Sequence, residues 1–239
     1  MPVFGTQMFG SGGGKTAVAY SFTDSEIQAA NATIFTFSSM AYGAADDSRI
    51  VVVTVSAGFS NVYGAISSAT IGGVSATIIC QGTSQGGGTS SIDTSLTGIV
   101  AAAVPTGTSG DVVITLTRST NASNRGVGIG VYRLSGPGVV AADETGTTAV
   151  ANNCGSGVAI SLNENTKEDG AVIACSAGNS SLGEEEWTGL TENNRGDAGA
   201  TATSTAGIAT TSDESHRTIT CTTSSYCRQS GAVAVWNPA

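Results

Sequence analysis

The chain has 239 residues, of which 40% are apolar and only 11% charged, well under the usual charged quarter, which excludes a coiled coil, a helical bundle with charged faces and a solvated disordered chain. Nine Lys and Arg against 18 Asp and Glu leave a net charge of -9, so little is available to neutralise phosphates and no nucleic-acid partner is expected. The length suffices to bury one large core or two small ones.

Residues 1–15 form a segment of their own. Phe4, Met8 and Phe9 precede Gly10-Ser11-Gly12-Gly13-Gly14, an apolar arm ahead of a glycine hinge. Two readings follow: a tether that anchors on another surface through those three side chains, or a terminus that folds back onto its own domain. The stretch has neither the basic nor the apolar region of a secretory signal, so a product made in the cytosol is expected. The string at 10–16 looks like a phosphate-binding loop, but that pattern needs Gly where Phe9 stands, and no strand precedes it. No cofactor is expected.

From residue 16 onward one β-sandwich domain is expected. Thr23-Asp24-Ser25-Glu26 fits a capping box and predicts one or two helical turns. Everything after it reads as short strands between Gly, Ser, Asn and Asp turns, with period 2 or fully apolar runs. The clearest are 33–37, 49–56, 74–80, 98–104, 111–118, 126–134, 157–162, 170–176, 200–206, 217–223 and 231–236. In 111–118, Val112, Ile114 and Leu116 alternate with Val113, Thr115 and Thr117, predicting one apolar and one hydroxyl-bearing face. In 126–134, glycines alternate with Val127, Ile129 and Val131, which predicts a strand covered closely on its glycine side. The longest apolar stretches, 50–53 and 99–104, are too short to span a bilayer, and no membrane association is expected.

Motifs for chemistry are sparse. Gly82-Thr83-Ser84-Gln85-Gly86 matches a nucleophile elbow, but a loop follows where the elbow needs a helix. A hydrolase on Ser84 would need the single histidine, His216, which reads better as a strand end. The carboxylates Asp46-Asp47, Asp143-Glu144 and Glu184-Glu185-Glu186 read as solvated turns, and none has calcium-loop spacing. Arg195-Gly196-Asp197 reads as a turn. Five cysteines, with no C-x-x-C, support neither a zinc site nor a dense disulfide framework. Cys80, Cys175 and Cys221 read as buried thiols, and Cys221 with Cys227 could close a hairpin disulfide. No catalytic, cofactor or metal residues are expected, and the chain is not expected to be an enzyme.

The two halves, about 45–136 and 155–239, repeat a pattern in the same order. RIVVVTVSAG answers to GAVIACSAG, ATIGGVSATI to EWTGLTENNRG, TGIVAAAVPTG to GATATSTAGIA, DVVITLTRS to HRTITCTTS, and GVGIGVYRLSG to GAVAVWNPA. The reading is an all-β, antiparallel, jelly-roll-like sandwich of two pseudo-repeated layers. The alternative is two small sandwiches divided near 136–148.

The ordered strings from Arg49 to the closing GAVAVW resemble β-sandwich virion proteins of tailed bacteriophages and phage-like particles, over about residues 45–239. The resemblance implies a non-enzymatic structural protein of the virion, a head decoration, head fibre or tail subunit. It would be a homo-oligomer contacting other capsid or tail proteins. The alternative is a glycan-binding module of a tail fibre or cell-surface protein, with Trp187, Tyr132 and Tyr226 as stacking groups for a host glycan.

Overall fold

An unbroken run of Val and Ile needs cover on both faces, and strand β3 (Ile50–Ser60) has it: every residue from Val51 to Phe59 is buried. The computed structural model describes residues 17–60, 64–84, 94–118, 123–136, 147–154, 159–178, 185–199, 201–223 and 227–238. Every regular element among them is a strand, and the fold is all-β.

The strands form four antiparallel sheets. Sheet A runs β1 (Ala19–Gln28), β9 (Ser123–Ser135), β3, β7 (Thr94–Ala103), β6 (Thr77–Thr83). Sheet B runs β2 (Ile34–Ala41), β8 (Ser109–Arg118), β4 (Gly64–Ile71), β5 (Val74–Ser75). Sheet C runs β10 (Thr147–Cys154), β17 (Cys227–Trp236), β12 (Ala171–Gly178), β15 (Ala202–Ala209), β14 (Thr191–Asp197). Sheet D runs β11 (Ala159–Thr166), β16 (Glu214–Thr223), β13 (Glu185–Thr188). Sheets A and C share one strand order: β1, β9, β3, β7 and β6 correspond to β10, β17, β12, β15 and β14. Sheet D repeats the first three strands of sheet B in the same way.

Three apolar clusters join the sheets into four layers, in the order B, A, C, D. The first sets Val51, Val53 and Val55 of β3 against Phe35, Phe37 and Ile114 of sheet B. The middle cluster joins Val52, Ile99 and Tyr132 of sheet A to Ile173, Cys175 and Trp236 of sheet C. The last sets Val172 and Val235 of sheet C against Leu162, Trp187 and Ile219 of sheet D. Two facing layers thus describe the middle of the molecule, and each carries a further sheet on its outer side. Alternate residues of β3 and β12 serve different clusters, as strand geometry requires.

The A–C seam is tight because glycines of one sheet face threonines of the other. A Cβ on Gly128 would stand 2.7 Å from Thr203 Oγ1, and one on Gly130 would stand 2.6 Å from Thr205 Cγ2. Gly58 is opposed by Thr201 in the same way. The close cover expected over the glycine side of 126–134 is therefore the β15 end of the second half. Alternate positions 201, 203 and 205 share one face, which is why all three threonines reach the seam.

Three local expectations are corrected, and one pairing left open by the sequence is decided. Residues 23–26 are strand, within β1 and paired to β9. Asp24 follows a register shift there, and its carboxylate accepts from the N–H groups of Ser25 and Ala41 at 2.8 Å each, so the would-be cap residue joins two strands. Arg195-Gly196-Asp197 lies in β14, paired with β15, because pairing to a buried strand overrides turn-forming composition. Glu185 is not solvated: in β13 it alternates inward with Trp187 while Glu186 faces out. Cys221 is a free buried thiol, and the register partner of Cys227 is Cys154.

Candidate functional sites

Two places among the described residues gather features beyond packing. The first is a buried carboxyl. Glu185 opens β13, where alternation turns it into the space between sheets C and D, and it is 1% exposed. Ser176 Oγ, at the end of β12, donates to Glu185 Oε1 at 3.2 Å. Gln229 Nε2, early in β17, lies 2.9 Å from Ser176 Oγ and 3.3 Å from Cys221 Sγ. Glu185 Oε2 and Gln229 Oε1 have no hydrogen-bond partner. Burial pushes the Glu185 carboxyl up to about 7; the Ser176 hydroxyl and Arg195 pull it back, while Glu192 and Asp197 add to the rise. The Cys221 thiol is also driven up by burial, so beside Glu185 it is a weak donor and no nucleophile. The cluster can hold or release one proton, but its carboxyl lies too deep to meet a substrate.

The second place is an apolar groove of about 400 Å³ at one end of the A–C seam. Ile50, Val74, Thr77, Ile79, Ala101 and Trp236 are among the residues lining it. Val74 at its rim is 41% exposed. It stands there because Gly72 and Gly73, both at positive φ, make the two-residue turn between β4 and β5. Trp236 is 1% exposed, and its indole N–H has no acceptor.

The residues singled out from the sequence fall elsewhere. Tyr132 is fully buried at the A–C seam, its hydroxyl 2.5 Å from Thr205 Oγ1 and 3.1 Å from Asn193 Oδ1, and its ring stacked on Tyr20. Trp187 is packed between sheets C and D and donates to Ser204 Oγ at 2.6 Å. Neither ring offers a face to a sugar, because both are consumed by packing. Phe4, Met8, Phe9 and Tyr226 lie outside the described residues.

The structure does not bring Ser84 and His216 together. Ser84 is buried beside Ser95, whose N–H and hydroxyl each lie 2.9 Å from Ser84 Oγ. His216 is an exposed strand residue at φ 64, its N–H donating to Asn165 Oδ1. Cys80 and Cys175 are buried at the seam, and burial raises both thiols to about 12. No group of three or more His, Cys, Asp or Glu among the described residues could hold a metal ion, and no described helix is long and apolar enough to cross a membrane.

Sequence reasoning missed Glu185 and the groove for different reasons. The inward turn of Glu185 was available in the spacing of Glu185 and Trp187, an every-other pattern in a four-residue strand. The groove is assembled from β3, β5, β6, β7 and β17 and leaves no local signal. Comparison with protein-family models, curated proteins and solved structures found no match to this chain.

Proposed function

We propose that this chain is a non-enzymatic structural subunit of a phage virion, projecting as a head decoration, head fibre or tail component and assembling as a homo-oligomer. The observation that supports this best is the four-layer stack, in which buried serines and thiols are spent on internal bonds. Ser84 and Ser230 each bond Ser95, and Cys175 lies 3.5 Å from the Gly98 carbonyl. A stack with both inner sheets covered on two faces resists local opening and suits a particle surface. The shared strand order of the halves supports reading the chain as a duplicated, jelly-roll-like unit. The excess of carboxylates keeps many copies mutually repelling and soluble. No exposed aromatic pair among the described residues favours the glycan-binding alternative.

The test is to purify the protein, measure its native mass, and label phage particles from a producing host with antibody to it. Gold on heads or tails together with an oligomeric mass supports the reading. A monomer absent from every particle fraction overturns it.

A further inference from the structure

The described chain begins at Ala17, and the next residue, Val18, is already packed in the A–C cluster, with its N–H on the Asp169 carbonyl at 2.7 Å. Ile50, Ile79, Ala101 and Trp236, which line the groove, belong to or pack against that same cluster. Ala17 therefore stands at the same end of the A–C seam as the groove. The sixteen residues before it carry Met1, Val3, Phe4, Met8 and Phe9, with no acidic side chain and one lysine, Lys15, near their end. We propose that the groove binds residues 1–9 of its own chain, with Phe4, Met8 and Phe9 as the seated side chains.

Two observations carry the assignment. The groove is apolar and of small-ligand size, about 400 Å³, and the arm brings two of the chain's six phenylalanines, Phe4 and Phe9, with two of its three methionines, Met1 and Met8. The connection reaches: residues 10–16 span up to roughly 23 Å when extended, against a distance of two to three strand spacings, about 10–15 Å, from β1 across to β3 and β7. The run Gly10 to Gly14 lets the chain reverse toward the groove. A tethered segment meets its site at an effective concentration in the millimolar range, which favours the chain's own arm over a neighbour's. This inference concerns the free subunit and does not rest on the virion reading.

The experiment compares the full chain with a variant lacking residues 2–9 and with a Phe4→Ser, Met8→Ser, Phe9→Ser variant. The probe is the apolar dye 1-anilinonaphthalene-8-sulfonate. Circular dichroism confirms that each variant is folded. Both variants are expected to bind several-fold more dye and to lose it saturably to a synthetic peptide of residues 1–9. Unchanged dye binding in both variants overturns the proposal. So does a full-length dimer that becomes monomeric on deletion, which would assign the groove to a second copy's arm.

Discussion

Thr205 Cγ2 stands 2.6 Å from the point where a Cβ on Gly130 would be, so the two halves of the chain touch at a position with no room for a methyl group. The same threonine hydroxyl lies 3.0 Å from Thr54 Oγ1 and 2.5 Å from the Tyr132 hydroxyl. The seam is thus fixed by shape on one side of Thr205 and by hydrogen bonds on the other. Gly130→Ala is expected to destabilise the protein by about 1–3 kcal/mol through overpacking. Thr205→Ser removes the opposing methyl but leaves the Thr205 and Thr54 hydroxyls, each 2.9 Å from the same point, so in the double variant part of the loss should return. Urea unfolding of the four proteins gives the coupling, expected at about 1 kcal/mol or more. Additive losses would mean that the halves do not meet at these residues.

The buried Glu185 makes stability depend on pH. Its carboxyl is raised from the ordinary 4.5 to about 7. The folded chain therefore keeps a proton that the unfolded chain releases, and stability falls as pH rises through that interval. The full loss, reached above about pH 7, is on the order of 3 kcal/mol. Glu164 is also raised by burial and adds to the fall. In Glu185→Gln the decline between pH 5 and 8 should shrink sharply, with the variant more stable than wild type at pH 8. Urea midpoints at several pH values check this, and parallel slopes for the two proteins would refute it.

The legible part of the fold is the part set by side-chain alternation and unbroken apolar runs. Val112, Ile114 and Leu116 face the B–A core as their spacing predicts, and the run at 50–53 sits in a strand covered on both sides. What stayed hidden depends on partners distant in the chain. Strand β1 has a mixed polar sequence, SFTDSEIQ, that a local reading gives to a helix; pairing with β9, about a hundred residues later, makes it a strand. Strand β14, TENNRGD, has turn composition and is held by β15. The Thr–Gly contacts at the seam could be read only as a strand wanting close cover, since nothing local says which threonines supply it. Of the candidate sites, the thiols at 80, 175 and 221 are legible from their apolar surroundings, whereas the burial of Trp187 and Tyr132 depends on sheet neighbours that the local sequence does not name.

Arg49 is fully buried and reaches five backbone carbonyls. They are Val104 at 2.6 Å, Gly43 at 2.9 Å, Ala44 at 3.1 Å, Thr106 at 2.7 Å and Gly107 at 2.8 Å. The guanidinium holds the loops before β3 and after β7 together, and only a planar five-donor group can serve all five acceptors. Arg49→Met should cost about 3 kcal/mol or more by stranding these carbonyls. Arg49→Lys should fall between it and wild type, because an ammonium offers three donors from one atom. Thermal unfolding ranks the three proteins, and a lysine variant as stable as wild type would contradict the carbonyl-clamp assignment.

The thiols give a reagent-accessible check on the layer order. Cys80 and Cys175 lie between sheets A and C, Cys221 lies between C and D, and all three are free and buried. Burial holds each thiol well above its ordinary value, so neither exposure nor ionisation favours reaction. Of the five cysteines in the chain, the native protein should yield at most the remaining two, Cys154 and Cys227, to a thiol reagent at pH 8. In denaturant with reductant removed after full reduction, all five should react. The slow native phase should follow global unfolding: Gly130→Ala, which loosens the A–C seam, should accelerate modification of Cys80 and Cys175. Peptide mapping identifies the labelled sites, and rapid native labelling of Cys175 would be incompatible with sheets A and C stacked face to face.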